Sequence, residues 1–260
     1  MTAHGGSEYT LDLSGRTALV TGGGNGVGAE IVAAFVRAGA SVWVNDIVEE
    51  RARAVAESVS GPGEARPVKA DVTSPVKVLR MREDTGPVDI LVNNAGIPTS
   101  GFALKKFADS NPGDWEGDMR LNLGAVLHVT HAYVGAMVEH GWGRIVTIVS
   151  DAGRRGERMQ VIYGSAKAGA MGFSRGLAAE VGAAGVTVNC VALGAMKTGP
   201  LLAAIEADPA LESRLARPYL VPRVGDPGDP SALVTLLCSD AASWITGQVY
   251  PVDGGYVPAL

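Results

Sequence analysis

The stretch RTALVTGGGNGVGAEIVAAFVRA, residues 16–38, decides the fold. Residues 16–21 form a short apolar run that reads as a strand, and residues 29–38 repeat apolar positions at helical spacing. Between them stands Thr21-Gly-Gly-Gly-Asn-Gly-Val-Gly28, so the order is strand, glycine turn, helix. Glycines at such a turn let the backbone approach a pyrophosphate, and the helix N-terminus offers that anion free N–H groups and the positive end of its dipole. Two frames fit the spacing. Gly24, Gly26 and Ala29 match the tight dinucleotide fingerprint, whereas Gly22, Gly26 and Gly28 match a wider-spaced one. Gly22, Asn25, Gly26, Val27 and Gly28 are therefore candidate cofactor contacts.

Outward from this unit the same rhythm continues. Strands are expected at 41–46, 66–70, 88–93, 143–150, 186–193 and 248–252, and helices at 48–59, 76–82, 114–140 and 163–181. Several strands are apolar without alternation, as expected where helices cover both faces of a parallel sheet. The pattern predicts one α/β domain over residues 1–260: a doubly wound, Rossmann-type parallel sheet in three α/β/α layers. Residues 1–12 form a polar lead expected to be mobile. Residues 196–225 break the rhythm with several prolines and are expected to act as a substrate lid.

Composition narrows the function classes. A net charge of −5 and a pI near 5.4 argue against a nucleic-acid partner, which needs a basic face. The chain has 47% hydrophobic residues but no apolar run of membrane-span length, and no basic start leads into an apolar segment. Its two cysteines, Cys190 and Cys238, are far apart and suit a reducing compartment, so a cytoplasmic protein is expected. His128 and His131 share a helix face without a carboxylate or cysteine at ligand spacing, and no metal site is expected. Trp115, Trp142 and Trp244 read as packing anchors.

Asp46 closes the second strand. A carboxylate there accepts both hydroxyls of an adenosine ribose and repels a 2′-phosphate, which favours NAD over NADP. No basic residue stands at 45–50 to offset that repulsion; the nearest is Arg51, and Ile47 is the neighbouring candidate contact.

Tyr163 and Lys167 stand four residues apart, one helical turn along a single face. Ser150 ends an apolar strand, Asn122 lies in an apolar helix, and Asn93-Asn94-Ala95-Gly96 closes another strand. These strand ends share the carboxyl edge of the sheet, where open α/β proteins place ligands. From Gly15 to Pro258 the chain resembles the short-chain dehydrogenase/reductase family. The resemblance rests on the Thr21 to Gly28 turn, Asp71-Val72, Asn93 to Gly96, Asn122, Ser150, Tyr163-Gly-Ser-Ala-Lys167, Asn189 with Gly194 and Thr198, Ile245-Thr-Gly-Gln and Asp253-Gly-Gly. It implies that Asp71 and Val72 flank the adenine, that Asn94, Ala95 and Gly96 line the cofactor's inner edge, and that Gly194 and Thr198 lie at the nicotinamide. A homotetramer is implied as well. Ser150-Asp151-Ala152-Gly153 and residues 245–249 look most like members acting on hydroxyacyl or oxoacyl thioesters. Sugar, polyol or steroid alcohols are the alternative, and a non-catalytic dinucleotide binder is a remote one. Departures from the family pattern are a short span from Asp71 to Asn93, which implies a trimmed helix and a less covered adenine, and Leu193 and Val149 in place of common Pro and Ser.

The chemistry follows from the residue types. A free phenol has a pKa near 10, so Tyr163 becomes a base near neutrality only if positive charge stabilises tyrosinate. The ammonium of Lys167 and an oxidised nicotinamide would supply that charge. Ser150 would hold the substrate oxygen, Lys167 would also bind the nicotinamide ribose, and Asn122 would hold a water linking Lys167 to solvent. Arg154, Arg155 and Arg158 follow Ser150 closely in an acidic chain, and the sequence offers them as contacts for a phosphate of a coenzyme A carrier.

Overall fold

The computed structural model describes residues 11–97 and 104–258. Seven strands form one parallel sheet in the order β3-β2-β1-β4-β5-β6-β7. They are β1 (Thr17–Thr21), β2 (Ser41–Asp46), β3 (Glu64–Lys69), β4 (Ile90–Asn93), β5 (Gly143–Ser150), β6 (Val186–Leu193) and β7 (Val249–Val252). The first three strands spread one way from β1 and the rest the other way, so direction reverses between β1 and β4. Chain leaving these two strands diverges and opens a crevice at their carboxyl ends, the place where such sheets bind ligands. The glycine turn leaves β1 there, and Asn94 to Gly96 leave β4 beside it.

The central strands carry the uninterrupted apolar signal because both faces are covered: every residue of β4 and β6 is buried. On one face lie α1 (Gly26–Arg37) and α10 (Ser231–Cys238), whose Ile31, Phe35, Val234 and Leu237 join Val20, Val44, Val92 and Val191 in one apolar cluster. A second cluster packs α3 (Pro75–Thr85), α5 (Ala125–His140) and α7 (Val161–Val181) against Leu19, Leu91, Ile145 and Val188. Between these lie α2 (Glu49–Ser58), α4 (Pro112–Met119), α6 (Ala152–Arg155), α8 (Gly199–Ala207) and α9 (Ala210–Ala216).

Several expectations shift. The helix read at 114–140 is interrupted by a π-helical turn, Arg120–Gly124, which divides α4 from α5 and buries Asn122. Such a turn widens the helix by one residue and often marks a functional site. Length and hydropathy alone would let the run Pro112–His140 cross a membrane. Val126, Val129, Tyr133 and Met137 instead bury one face of α5 inside the protein. Helix α10 lacks a sequence signal because its short apolar stretch follows a proline-rich connection. Residues 196–225 hold two short helices, and a parallel bridge from Met196 to Gly225 ties both ends of the segment together. The expected mobile lead falls largely on residues 1–10, outside the described residues. Trp244 is not a packing anchor: it is 97% exposed.

Candidate active site

The glycine turn takes the wider-spaced frame. Gly22 and Gly26 hold φ of 61° and 51°, the left-handed region that favours glycine, and a Cβ on Gly28 would run into the Gly22 carbonyl oxygen. Asn94 locks the turn from the neighbouring strand end. Its Nδ2 donates to the carbonyls of Thr21 and Gly22, each at 3.0 Å, and its backbone N–H donates to Thr21 Oγ1. Ala95 packs directly on Gly22, and Thr198, the N-cap of α8, lies over Gly26. Asn25 caps α1 with its backbone alone, and Val27 is buried beneath it. Gly22, Asn94, Ala95 and Thr198 therefore meet at one place although they are far apart in sequence.

Asp46 is buried at the end of β2, where Oδ1 accepts a 2.9 Å hydrogen bond from Val48 N and Oδ2 faces Gly24. The stem of Arg51 lies beside the same glycine, a neighbour that linear spacing had set apart from the site. Farther along the crevice, Ile47, Ala70, Asp71, Lys77 and Met81 line a cavity of about 310 Å³. Val72 is buried next to it. Burial works to raise the Asp71 pKa, but hydrogen bonds from Thr73 and the charge of Lys77 outweigh it and hold the carboxyl below its ordinary value. Between Asp71 and Asn93 lies α3, three turns long, which forms one wall of this cavity.

The four chemistry-bearing residues converge. Tyr163 and Lys167 project from α7, and the Tyr163 hydroxyl is hydrogen-bonded with Ser150 at the end of β5. Lys167 Nζ donates to the Ile148 carbonyl at 3.0 Å and lies 5.8 Å from the centre of the Tyr163 ring. Gly96 lies against Lys167 and Asn122: a Cβ there would stand 2.7 Å from Lys167 Nζ and 2.9 Å from Asn122 Oδ1. Asn122 is fully buried, and among the described residues neither polar atom of its side chain has a hydrogen-bond partner. An amide left unpaired in the interior costs on the order of 1–3 kcal/mol, so a group that bonded to this one would be held favourably.

Burial sets the starting point for Tyr163 before any cofactor is present. It pushes the phenol up to about 12, against the hydrogen bond with Ser150, and it pushes Lys167 down to about 8. In the protein alone, desolvation of tyrosinate, joined by the charge of Asp118, outweighs the hydrogen bond with Ser150. Tyr163 therefore keeps its proton throughout the neutral range.

The arginine cluster also needs correction. Arg154 is not free to meet a carrier phosphate: its Nη1 holds Asp151 at 2.7 Å and Asp253 at 3.3 Å, and its Nη2 donates to the Val257 carbonyl. Arg155 lies 4.7 Å over the Tyr256 ring and pairs with Glu157. Arg158 remains exposed. Sequence reasoning missed Tyr219, whose hydroxyl accepts from Ala195 N at 2.8 Å and fills the space that a side chain at Gly194 would take. No local signal marks it, because the contact spans 24 residues of irregular chain. Among the described residues no cluster of three or more His, Cys, Asp or Glu side chains could hold a metal.

A family described as enoyl-(acyl carrier protein) reductase matches residues 22–257. The chain belongs to the short-chain dehydrogenases/reductases. As a member it is an oxidoreductase acting on CH–OH groups. It is 37% identical over 250 residues, 94% of this chain and 98% of the relative, to a subunit of hydroxy(phenyl)methylsuccinyl-CoA dehydrogenase of Thauera aromatica. It is also 37% identical to acetoacetyl-CoA reductase of Rhizobium meliloti, over 92% of this chain and 98% of that one. A solved structure of 7α-hydroxysteroid dehydrogenase with NADH and a 7-oxo bile acid superposes with a TM-score of 0.87. That protein is 35% identical, over 96% of this chain and 98% of its own.

Proposed function

We propose that this dehydrogenase/reductase interconverts the ketone of an oxoacyl thioester and the corresponding hydroxyacyl thioester, with NADH and NAD as hydride donor and acceptor. The observation that carries the reading is that Ser150 bonds to Tyr163, Tyr163 lies by Lys167, and Lys167 meets Asn122 at Gly96, just past the end of β4, where β1 and β4 part. The cradle at Gly22, Gly26 and Gly28, which side chains would fill, suits a pyrophosphate. Ile47, Asp71 and Val72 would flank the adenine, Asp46 the ribose, and Asn94, Ala95, Gly96, Gly194 and Thr198 the inner, nicotinamide end. Bound there, NAD(H) supplies the hydride chemistry.

The residues of the chain do the rest. Ser150 donates a hydrogen bond to the substrate oxygen and stabilises negative charge growing on it. Tyr163, holding its proton at neutral pH, delivers that proton to the same oxygen during reduction and takes it back during oxidation. Lys167, charged below about pH 8, stands where it holds the cofactor's ribose and favours tyrosinate when Tyr163 gives up its proton. The open amide of Asn122 accepts a water that replenishes the proton through Lys167.

Support for a thioester comes from the acyl-CoA relatives, and for NAD from the carboxylate of Asp46 at the ribose position. A second reading, a steroid alcohol substrate, is favoured by the exposed apolar Ile97, Met159, Val161 and Leu202, which flank Gly96, Tyr163 and Thr198 in the chain, and by the hydroxysteroid neighbour. The deciding experiment follows NADH absorbance with acetoacetyl-CoA and, separately, with a 7-oxo bile acid. Turnover of the thioester alone supports the first reading, and turnover of the steroid alone replaces it. Residues 196–225 would close over the acyl part. A homotetramer is the proposed assembly, supported by the exposed Leu127 and Val138 on α5 and by Trp244; light scattering would measure it. The two free, buried cysteines suit the cytoplasm.

A further inference from the structure

Beside the catalytic groups lies an ionic cluster with no part in the chemistry above. Asp151, directly after Ser150, is 2% exposed, and Asp253 at the end of β7 is 8% exposed. The same guanidinium, that of Arg154, serves both carboxylates. Three further bonds shape the C-terminal turn around them: Gly255 N and Val257 N donate to Asp253, and Arg154 Nη2 donates to the Val257 carbonyl. The turn then reaches across to the segment that follows α9. Val221 N donates to the Gly254 carbonyl, and the rings of Tyr256 and Tyr219 stack 5.0 Å apart. Arg155 covers the Tyr256 ring, and the Tyr256 hydroxyl donates to Glu157. Tyr219 in turn walls a cavity of about 220 Å³ with Gly194, Met196, Val221 and Val252.

The cluster therefore bridges two sides of the substrate region, from the residue after Ser150 to the wall over Gly194. Two buried carboxylates on one guanidinium cannot separate cheaply, since losing the cation leaves both charges uncompensated. We propose that Arg154 is a positioning residue: its clamp on Asp151 and Asp253 holds the C-terminal turn and Tyr256, which hold Tyr219 as the cavity wall, and so governs substrate affinity while leaving hydride transfer untouched. The effect on affinity rests on the functional reading above, which places the substrate at Ser150; the clamp itself does not. Asp151 is the leg that responds to pH. Burial, helped by the charge of Asp253 and opposed by Arg154, raises it to about 6. The groups facing it are Arg154 on α6 and Asp253 on the C-terminal turn, and its charge also reaches Tyr219 beyond them. Below about pH 6 Asp151 is neutral and its contact with Arg154 is reduced from an ion pair to a weaker hydrogen bond from the guanidinium.

The test uses the full chain in two arms: KM and kcat for NADH-driven reduction of acetoacetyl-CoA, and hydrogen exchange at the amides of Val221, Gly255 and Val257. Arg154→Met is expected to raise KM about tenfold with kcat within about twofold, the pattern of lost uniform binding, and to speed exchange at all three amides. Arg154→Lys should restore part of both. Because the clamp is buried, the KM change should be the same at low and high salt, whereas a phosphate contact would be screened. The isosteric Asp151→Asn should show near pH 7.5 the KM that wild type reaches only near pH 5.5, and its KM should be flat between those values. Wild-type KM and exchange in Arg154→Met, or an unaltered pH profile in Asp151→Asn, would overturn the proposal. Should Arg154→Met fail to fold, Asp151→Asn decides alone. A wild-type protein inactive on acetoacetyl-CoA would instead count against the thioester reading, and the exchange arm would still judge the clamp.

Discussion

Adding one methyl group at Gly96 should disable the enzyme without unfolding it. A Cβ there would lie 2.7 Å from Lys167 Nζ and 2.9 Å from Asn122 Oδ1. Moving the ammonium out to an ordinary contact of 3.4 Å takes a shift of about 0.7 Å, and the 3.0 Å bond from Lys167 to the Ile148 carbonyl is the interaction that must stretch. The side chains that give way are flexible at their ends, so the backbone of β4 need not move. Weakening a hydrogen bond made by a charged group costs about 1.5–3 kcal/mol at most. Misplacing a catalytic group by about 1 Å costs on the order of 10²-fold in rate. Gly96→Ala is therefore expected to lower kcat by roughly 10- to 100-fold and stability by no more than about 3 kcal/mol. Steady-state reduction kinetics and urea denaturation measure the two quantities. A variant with kcat within threefold of wild type would refute the packing of Lys167 and Asn122 around Gly96 as the geometry that matters.

Tyr163→Phe should lose at least about 10³-fold in kcat while NADH binding, measured by fluorescence titration, stays near wild type, because the phenol oxygen handles only the substrate proton. Lys167→Met should lose turnover and also weaken NADH binding, and unchanged cofactor affinity would contradict the proposed ribose contact. The pKa of buried Lys167, about 8 against 10.5 when exposed, carries a linkage prediction. Between those values the unfolded chain holds a proton that the folded chain has released, so Lys167 makes folding more favourable as pH rises through this window. The stability gap between wild type and Lys167→Met should move in favour of wild type by on the order of 3 kcal/mol from about pH 8 to 10.5, and a constant gap would rule the shift out. Asp46→Ala should narrow the preference for NAD over NADP in kcat/KM, since it removes the repelling carboxylate and leaves the Arg51 stem beside Gly24; a wild-type enzyme selective for NADP would contradict the assignment.

Where the signal is local, the chain carries it openly. Apolar runs without alternation mark β4, β5 and β6, because a strand covered on both faces must be apolar at every position. Tyr163 and Lys167 share a face because helical geometry brings residues four apart together. The π-helical turn that buries Asn122 was not legible, since the apolar residues on either side continue a helical pattern. Helix α10 is too short for periodicity to reveal, and its partner α1 lies about 200 residues earlier.

By itself, then, the sequence determined the α/β alternation, the glycine turn, the acid at the end of β2 and the identity of the acid/base group, all of which rest on spacing within one or two elements. Tertiary structure alone decided how those groups behave. It chose between the two glycine frames by bringing Asn94, Ala95 and Thr198 against the turn. It left Tyr163 protonated at neutral pH by withdrawing it from water, a quantity with no counterpart in linear spacing. It took Arg154 from the surface role its neighbours suggested and spent it on Asp253, 99 residues away. Desolvation and through-space charge depend on what surrounds a group in three dimensions, and only the folded chain supplies those surroundings.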